Sequence, residues 1–313
     1  MTFASEQDGM RSGPTGTQFV LDNAQTGVGA QITQVGAALR RLTVGGVEIV
    51  PPYPADAPSP AASGVVLVPW PNRVRDGAWT QDGKTRRLAI TEPALNNASH
   101  GLLRFAAYSA TDVASDRVIL AADVFPQTGY PFHLSTRVTY ALTETGVAVT
   151  HEIENSGTDA APVAVGTHPY LMIGGVPTRD LVVRSSGTHR FVVDQQLIPT
   201  DEVPVDPGND LRDGRRLGDI TLDTAYSGLS RDADGLIRHS LTAPDGRSLV
   251  LWQGAGFDFA QIFTTDRYPS QSLAVAIEPM TAPANAFNSG RGLRWLAPNE
   301  KWTLGWGIEL TSS

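Results

Sequence analysis

RVTYALTETGVAVTHEIEN, residues 137–155, decides the fold class of this chain. Apolar or ring side chains occupy every second position on both sides of a Glu-Thr-Gly turn at 144–146. The alternating residues are Val138, Tyr140, Leu142, Val147, Val149, His151 and Ile153. A period of two is typical of a strand that buries one face, so two such runs joined by a glycine-containing turn predict a β-hairpin.

Similar short runs recur along the chain, and no long segment has the sustained periodicity of an amphipathic helix. They lie at 17–22, 30–35, 64–69, 117–124, 181–184, 189–193, 248–252, 259–263, 273–277 and 302–310. Many short strands separated by Gly, Pro, Asp and Asn clusters predict an all-β, antiparallel sandwich or barrel. We expect residues 1–15 to form a flexible tail and residues 16–313 a single domain, with 51–64 as a long loop inside it.

Composition excludes several classes of protein. The 313 residues are 41% hydrophobic, which is enough for a sizeable core, and the net charge of −8 argues against a nucleic-acid partner. The absence of cysteine excludes disulfides, thiolate metal ligands and a cysteine nucleophile. The polar N-terminus lacks a signal-peptide pattern, and no apolar stretch approaches the roughly 18 residues of a membrane helix. We therefore expect a cytoplasmic protein without a membrane partner.

The stretch VGTHPYLMIGG, residues 165–175, interrupts an alternating apolar run with a histidine. Pro169 cannot donate a hydrogen bond to a strand ladder, so regular pairing should stop or bulge there. His168 is then placed at a strand exit, where loops carry function on a rigid scaffold. Two interpretations remain open at this point: a functional histidine, or a buried one hydrogen-bonded to a carbonyl oxygen.

Three further stretches join polar, potentially catalytic residues to turn residues. Arg73 follows Pro-Asn, His100 precedes a glycine, and Glu278 directly follows the apolar run 273–277. Each has an ordinary alternative: a surface salt bridge to Asp76 for Arg73, a turn or core residue for His100, and a solvated carboxylate for Glu278. Taken together with His168, they form a candidate proton-transfer site. The aromatic residues Trp70, Tyr170 and Phe287 are candidates for an apolar wall or a platform for a sugar ring.

No pattern for another chemistry accompanies this group. The sequence lacks a P-loop, a complete G-x-G-x-x-G, an H-E-x-x-H and a G-x-S-x-G, and its six histidines show no metal-ligand spacing. We therefore predict no cofactor and no metal. Proton transfer alone restricts the reaction to isomerisation, epimerisation or hydrolysis.

The ordered motifs resemble those of the aldose 1-epimerases, or galactose mutarotases. They are Asn72-Arg73, Asn97 with His100-Gly101, Thr167-His168-Pro169-Tyr170 with Gly174-Gly175, Glu278, and the segment 128–155 with its Gly-Tyr-Pro start. The matches run from about residue 65 to residue 309. The resemblance implies the large β-sandwich of that family, with a monosaccharide bound in a cleft across the strands and a monomeric or homodimeric enzyme.

The resemblance also implies roles for individual residues. Glu278 is expected to be the general base and His168 the general acid, on opposite sides of the C1–O5 bond, with Glu278 ionised and His168 protonated at rest. The expected sugar-binding residues are Asn72, Arg73, His100, Tyr170 and Asp223. Asp223 is the loosest match of these, because Asp219 or Asp258 could be confused with it.

Departures from the family pattern leave the sugar open. Leu102 and Met280 stand where galactose-active members usually have a glycine and an amide, so we expect an aldohexose other than galactose to be preferred. One alternative is an anionic sugar, a hexose phosphate or sulfonated sugar, with Arg75 or Arg104 as the additional cation. The others are a sugar-binding protein without catalysis on the same fold, and other carbohydrate chemistry such as hydrolysis or lysis.

Overall fold

The structure is a computed structural model that describes residues 13–269 and 271–311. Nearly all of its regular elements are strands. These are β1 Gln18–Asn23, β2 Val28–Thr33, β3 Leu39–Val44, β4 Val47–Val50, β5 Val66–Leu67, β6 Arg73–Arg75, β7 Ala78–Gln81, β8 Lys84–Arg87, β9 Asn97–Ser99, β10 Ser109–Val113, β11 Arg117–Val124, β12 Leu134–Leu142, β13 Gly146–Asn155, β14 Ala161–Val163, β15 Gly166–Thr167, β16 Tyr170–Leu171, β17 Val182–Ser185, β18 His189–Val193, β19 Pro199–Pro204, β20 Arg215–Arg216, β21 Asp223–Ser227, β22 Ile237–Thr242, β23 Ser248–Gln253, β24 Phe259–Thr265, β25 Ala274–Met280, β26 Arg294–Leu296 and β27 Lys301–Thr311.

Helical structure in the same ranges is short. The helices are α1 Ala286–Ser289 and the 3-10 turns Pro60–Ala62, Pro93–Leu95, Thr178–Asp180 and Leu217–Asp219. No helix within the described ranges is long and apolar enough to span a membrane. The prediction of an all-β chain with antiparallel sheets is confirmed.

The predicted hairpin is β12–β13, the centre of a nine-stranded antiparallel sheet ordered β10-β11-β12-β13-β27-β23-β22-β17-β20. Tyr140 pairs with Val149 across it, and both side chains are fully buried. The alternation in the sequence arises because one face of this sheet packs on the main core. That core includes residues from Leu21 to Ile308 in one cluster.

The second large sheet contains eight strands, ordered β19-β18-β21-β24-β25-β15-β5, with β16 also paired to β25. Its strand β25 is buried at every position, which explains the unbroken apolar run LAVAI. Val275 and Ile277 face the main core, whereas Ala274 and Ala276 pack with Tyr170 and Tyr268 on the other face. A strand buried on both faces cannot show the alternation of β12 and β13.

Two boundaries differ from the sequence prediction. Glu278 does not follow its strand: β25 continues through Pro279 to Met280, and Glu278 pairs with Gln261 of β24. Of the predicted tail, residues 1–12 lie outside the described residues. Thr15 is buried and its carbonyl oxygen accepts a hydrogen bond from Val35, so this residue already belongs to the packed structure. The predicted break at Pro169 is present, because β15 ends at Thr167 and β16 begins at Tyr170.

Two core histidines predict sensitivity of the fold to acid. Burial lowers the pKa of His151 and of His239 to about 4. Between pH 6.5 and 4 the unfolded chain therefore binds more protons than the native chain, so the stabilisation is complete above pH 6.5 and is lost as pH falls through 4. We expect the free energy of unfolding to fall by up to about 1.4 kcal/mol per pH unit for each histidine in this window.

Urea unfolding between pH 7.5 and pH 4.5 measures this slope. The matched variant is His239→Gln, since glutamine keeps hydrogen-bonding capacity toward Ser185 and Gln253, the present partners of His239. We expect a shallower slope in this variant. A folded His239→Gln protein that keeps the full wild-type slope would contradict the assignment.

Candidate active site

A cavity of about 270 Å³ lies on the face of the eight-stranded sheet that points away from the main core. Strand register builds its floor, because residues paired across an antiparallel sheet project to the same side. One row contains Gln261 of β24 beside Glu278 of β25. The parallel row runs from Asp223 of β21 through Phe263 and Ala276 to Tyr170 of β16.

A two-stranded ribbon, β6 with β9, supplies the opposite wall. Arg73 pairs with Ser99 in this ribbon, and Asn72 and His100 lie next to that pair, one at each strand end. The backbone nitrogen of His100 donates to the Asn72 carbonyl at 2.7 Å, and the Asn72 nitrogen donates to Nδ1 of the His100 ring at 3.2 Å. Because Nδ1 accepts, the neutral His100 ring carries its proton on Nε2, where it can donate to a ligand.

The chain needs glycine directly after His100. Gly101 has a φ of +72°, and a Cβ atom at this position would lie 2.2 Å from the carbonyl oxygen of Val68. The backbone of residue 101 therefore approaches Val68 more closely than any other residue type allows. This approach fixes where the His100 ring enters the cavity.

Glu278 and His168 form a buried pair at the base of the cavity. Nε2 of His168 lies 3.3 Å from Oε1 of Glu278, and the two residues are 6% and 2% exposed. Nδ1 of His168 and Oε2 of Glu278 have no hydrogen-bond partner within the described ranges. Within those ranges the His168 ring therefore forms no hydrogen bond to the carbonyl oxygen of another residue, and it faces Glu278 instead.

Burial disfavours the charged form of both partners. It raises the pKa of Glu278 well above its ordinary value, with Asp223 adding to the effect and Arg73 opposing it. It also lowers the pKa of His168 to about 4. Both directions disfavour an ionised glutamate beside a protonated histidine, the arrangement expected at rest. Burial, followed by the neighbouring cationic groups, also lowers the pKa of His100.

The three arginines near the site have different partners. Arg73 does not pair with Asp76; its Nε and Nη2 donate to the two carboxylate oxygens of Glu92 at 2.8 and 3.0 Å. Arg75 pairs with Asp194 and with Gln196 and does not line the cavity. Arg104 does line it, and its guanidinium lies over the ring of Phe105 at 4.3 Å. In the described chain no carboxylate is within ion-pair distance of Arg104, and its buried Nε has no hydrogen-bond partner.

The structure brings all seven residues predicted for the site to this one cavity. They are Asn72, Arg73, His100, His168, Tyr170, Asp223 and Glu278. Asp219 and Asp258, the alternatives to Asp223, instead pair with Arg216 and Arg231 outside the cavity lining. Asp223 is held by Gln261, whose Nε2 donates to its Oδ1 at 2.5 Å.

Sequence reasoning missed four polar residues of the lining, which are Thr91, Glu92, Ser99 and Gln261. The signal for Gln261 is a single polar residue inside the apolar run FAQIF. Glu92 carries no local signal, since it follows an exposed threonine in a loop and precedes a proline.

Two predictions about the cavity wall are wrong. Trp70 and Phe287 pack against each other at 5.3 Å in the main core and do not line the cavity, so among the three predicted aromatics only Tyr170 does. Leu102 packs on the main core, and Met280 is buried against Phe191 and Phe259. Neither contacts the space for a sugar, so the inference that they disfavour galactose loses its basis.

Comparison with known proteins agrees with this site. The family model for aldose 1-epimerase matches residues 17–308. The uncharacterized protein YihR of Escherichia coli (strain K12) is 31% identical over 281 residues, 89% of each chain. The galactose mutarotase of Sus scrofa is 32% identical over 155 residues, 47% of this chain and 44% of its own length.

Solved structures with the same fold have lower identity. A GalM/aldose epimerase homologue from C. elegans superposes with a TM-score of 0.83 at 17% identity, covering 95% of this chain and 99% of its own. Galactose 1-epimerase from Lactobacillus acidophilus gives 0.76 at 18% identity, with 93% of each chain covered. Fold, family model and full-length relative agree: the chain belongs to the aldose 1-epimerase family and is an isomerase of sugar anomers.

Proposed function

We propose that Glu278 and His168 open and close the sugar ring as base and acid. The observation that carries this proposal is the 3.3 Å contact between their side chains at the base of a polar cavity. The acid and base were expected on opposite sides of the C1–O5 bond, but here they are neighbours. Neighbours suffice, because O1 and O5 are both bonded to C1 and lie close together.

Ring opening needs one proton transfer at O1 and one at O5. The Glu278 carboxylate takes the proton of the O1 hydroxyl while His168 gives a proton to O5, so the C1–O5 bond breaks as C1=O1 forms. The aldehyde then rotates about the C1–C2 bond. O5 attacks the other face of C1, Glu278 returns its proton to O1, and His168 recovers the proton from O5. Each positioned group of this kind is typically worth about 10²–10⁴ in rate.

The proton arrangement favoured by burial has a place in this cycle. A protonated Glu278 beside a neutral His168 is the state that accompanies the open-chain aldehyde. Before a closed ring can react, the proton has to move from Glu278 to His168 across their 3.3 Å contact. Against the effect of burial, the positive charge of Arg73 lowers the pKa of Glu278 and so favours the loss of its proton, but it also lowers the pKa of His168, which opposes the gain.

The remaining lining residues supply hydrogen bonds to sugar oxygens in this proposal. Nε2–H of His100 and the free N–H groups of Arg73 are donors, and the Asp223 carboxylate is an acceptor held in place by Gln261. The Tyr170 hydroxyl is buried and has no partner within the described ranges. A buried hydroxyl left unpaired costs about 1–3 kcal/mol, so a sugar hydroxyl that reaches it gains binding energy.

A second candidate substrate, an aldose with an anionic substituent, is favoured by Arg104. This guanidinium lines the cavity without a carboxylate partner among the described residues. Glu92 attracts the guanidinium electrostatically without forming an ion pair with it, and a phosphate or sulfonate oxygen matches its donor geometry. Arg75, the other arginine considered for this role, is already neutralised by Asp194 outside the cavity.

The function and the choice of sugar are tested together by anomer exchange of α-glucose, α-galactose, xylose, glucose 6-phosphate and sulfoquinovose, followed by polarimetry or NMR. If Arg104 binds an anion, Arg104→Gln should lower kcat/KM for the anionic sugars about 10–100-fold, as expected for a lost charged hydrogen bond. Neutral sugars should change by less than about threefold. Arg75→Gln is the matched control and should leave the ranking unchanged.

Two outcomes would contradict these assignments. Equal losses of kcat/KM for neutral and anionic sugars in Arg104→Gln would contradict an anion site at Arg104. Binding of sugars without acceleration of any anomer exchange would support a non-catalytic sugar-binding protein instead.

We also propose that the protein acts in the cytoplasm on a free monosaccharide, as a monomer or homodimer. The absence of cysteine is compatible with this compartment.

A further inference from the structure

Glu92 brings a carboxylate into the cavity for which the proton-transfer cycle has no use. Its two oxygens accept from Nε and Nη2 of Arg73, and Oε2 also accepts from Nδ2 of Asn97 at 3.2 Å. The backbone fixes the same contact, since Glu92 and Asn97 exchange hydrogen bonds of 3.0 and 3.2 Å. Glu92 is therefore held from both its main chain and its side chain.

The hydrogen bonds of the Arg73 guanidinium hold it in one orientation. Nη1 of Arg73 donates to Oδ1 of Asn72 at 3.1 Å, so all three guanidinium nitrogens are anchored. A planar guanidinium gripped on two edges keeps its remaining N–H groups in fixed directions. The side chains of Arg73 and Glu92 remain 16% and 25% exposed, and an ion pair of that exposure adds little to folding stability.

We propose that Glu92 is a positioning residue: it holds the Arg73 guanidinium in the direction needed to contact the sugar and shields its charge from the Glu278–His168 pair. This inference rests on the proposed sugar site, because it assigns no new ligand. It deepens that site by naming the residue on which the position of Arg73 depends.

Charge shielding follows from the groups that face one another across the cavity. The charged and titratable residues of the lining are Arg73, Glu92, His100, Arg104, His168, Tyr170, Asp223 and Glu278. Arg73 lowers the pKa of Glu278 and that of His168. Without the negative charge of Glu92, Arg73 acts at full strength, and Glu278 loses its proton at lower pH.

The experiment compares Glu92→Gln with wild type in the full chain, using the fastest sugar of the panel. We expect KM to rise about tenfold or more, as expected for a lost charge-assisted contact. We also expect a change in the dependence of kcat on pH. Its alkaline limb, where the Glu278–His168 pair loses its last proton, should move to lower pH. A merely structural salt bridge would change the melting temperature and leave this limb in place.

Glu48→Gln is the matched control. Glu48 accepts a similar bidentate contact from Arg41, with a side-chain exposure of 26% against 25% for Glu92, but it lies outside the cavity lining. We expect wild-type KM and a wild-type pH profile in this variant. Glu92→Asp keeps the negative charge, so the alkaline limb should keep its position even though the shorter side chain weakens the contact with Arg73.

A double-mutant cycle with Arg73→Lys separates positioning from other effects. Lysine cannot make the bidentate contact, so Glu92→Gln should add little in the Arg73→Lys background. Fully additive losses, or a Glu92→Gln enzyme with wild-type KM and alkaline limb, would overturn the proposal. A wild-type protein that accelerates no sugar would instead overturn the proposed function.

Discussion

Replacing Glu278 with glutamine is expected to slow anomer exchange by at least about 10²-fold, the low end for the loss of a general base. Glutamine has nearly the same size and still forms hydrogen bonds, but it does not accept the O1 proton at neutral pH. Glu278 lies in the middle of β25, where its backbone pairs with Gln261, so the substitution leaves the strand intact. NMR exchange spectroscopy, with the spontaneous rate subtracted, measures the effect.

The control for this variant is Glu154→Gln, which removes a surface carboxylate from β13 that pairs with Lys301. It should retain wild-type kcat. The melting temperatures of both variants show whether each protein is folded at the assay temperature. A folded Glu278→Gln protein with near-normal kcat would remove Glu278 from the mechanism.

His168→Asn is expected to lose activity on a similar scale while the melting temperature changes little. In the proposed mechanism the ring supplies the proton for O5, a contribution worth at least about 10² in rate. Its nitrogens anchor little of the fold, because Nδ1 has no partner in the described chain and Nε2 contacts Glu278. The ring also packs against Tyr170 at 5.2 Å and His100 at 5.6 Å. Rate and melting temperature are measured on the same sample.

His151→Asn is the matched comparison and should show the opposite pattern. His151 is a buried histidine of the other sheet, and its Nε2 accepts from Nε1 of Trp306 at 2.9 Å. We expect a lower melting temperature with kcat unchanged. If His168→Asn behaves in this way instead, His168 is a structural residue and another group is the acid.

The fold class was predictable because its signals are local. Alternation on the two sides of the turn at 144–146 reports one buried face, and that relation holds within a single hairpin. Strand β25 was harder to delimit. Its residues are buried on both faces, so periodicity gave no boundary, and Pro279 looked like an end although the strand includes it.

The site was predictable only in part, for a similar reason. Arg73, His100, His168 and Glu278 could be identified from their polar, turn-rich surroundings, and all four line the cavity. Asn72 and Asp223 came from the family resemblance, and the candidates Trp70, Phe287 and Arg75 do not line it. Contacts across the fold could not be read in this way. Gln261 meets Asp223 from 38 positions away, and Leu102 and Met280, although adjacent in sequence to site motifs, point into the core. Residues adjacent in sequence to a site motif were therefore wrongly expected to line the cavity.

The burial of the Glu278–His168 pair also affects how the reaction rate depends on buffer acids and bases in the solution. Free sugars in water interconvert faster when buffer acids and bases are added, because these carry the protons. In the proposed cycle Glu278, which is 2% exposed, returns to the sugar the proton it took, and His168, which is 6% exposed, recovers the proton it gave. The proposed cycle therefore neither consumes nor releases a proton, and we expect its rate to depend on the pH of the medium but not on the concentration of the buffer.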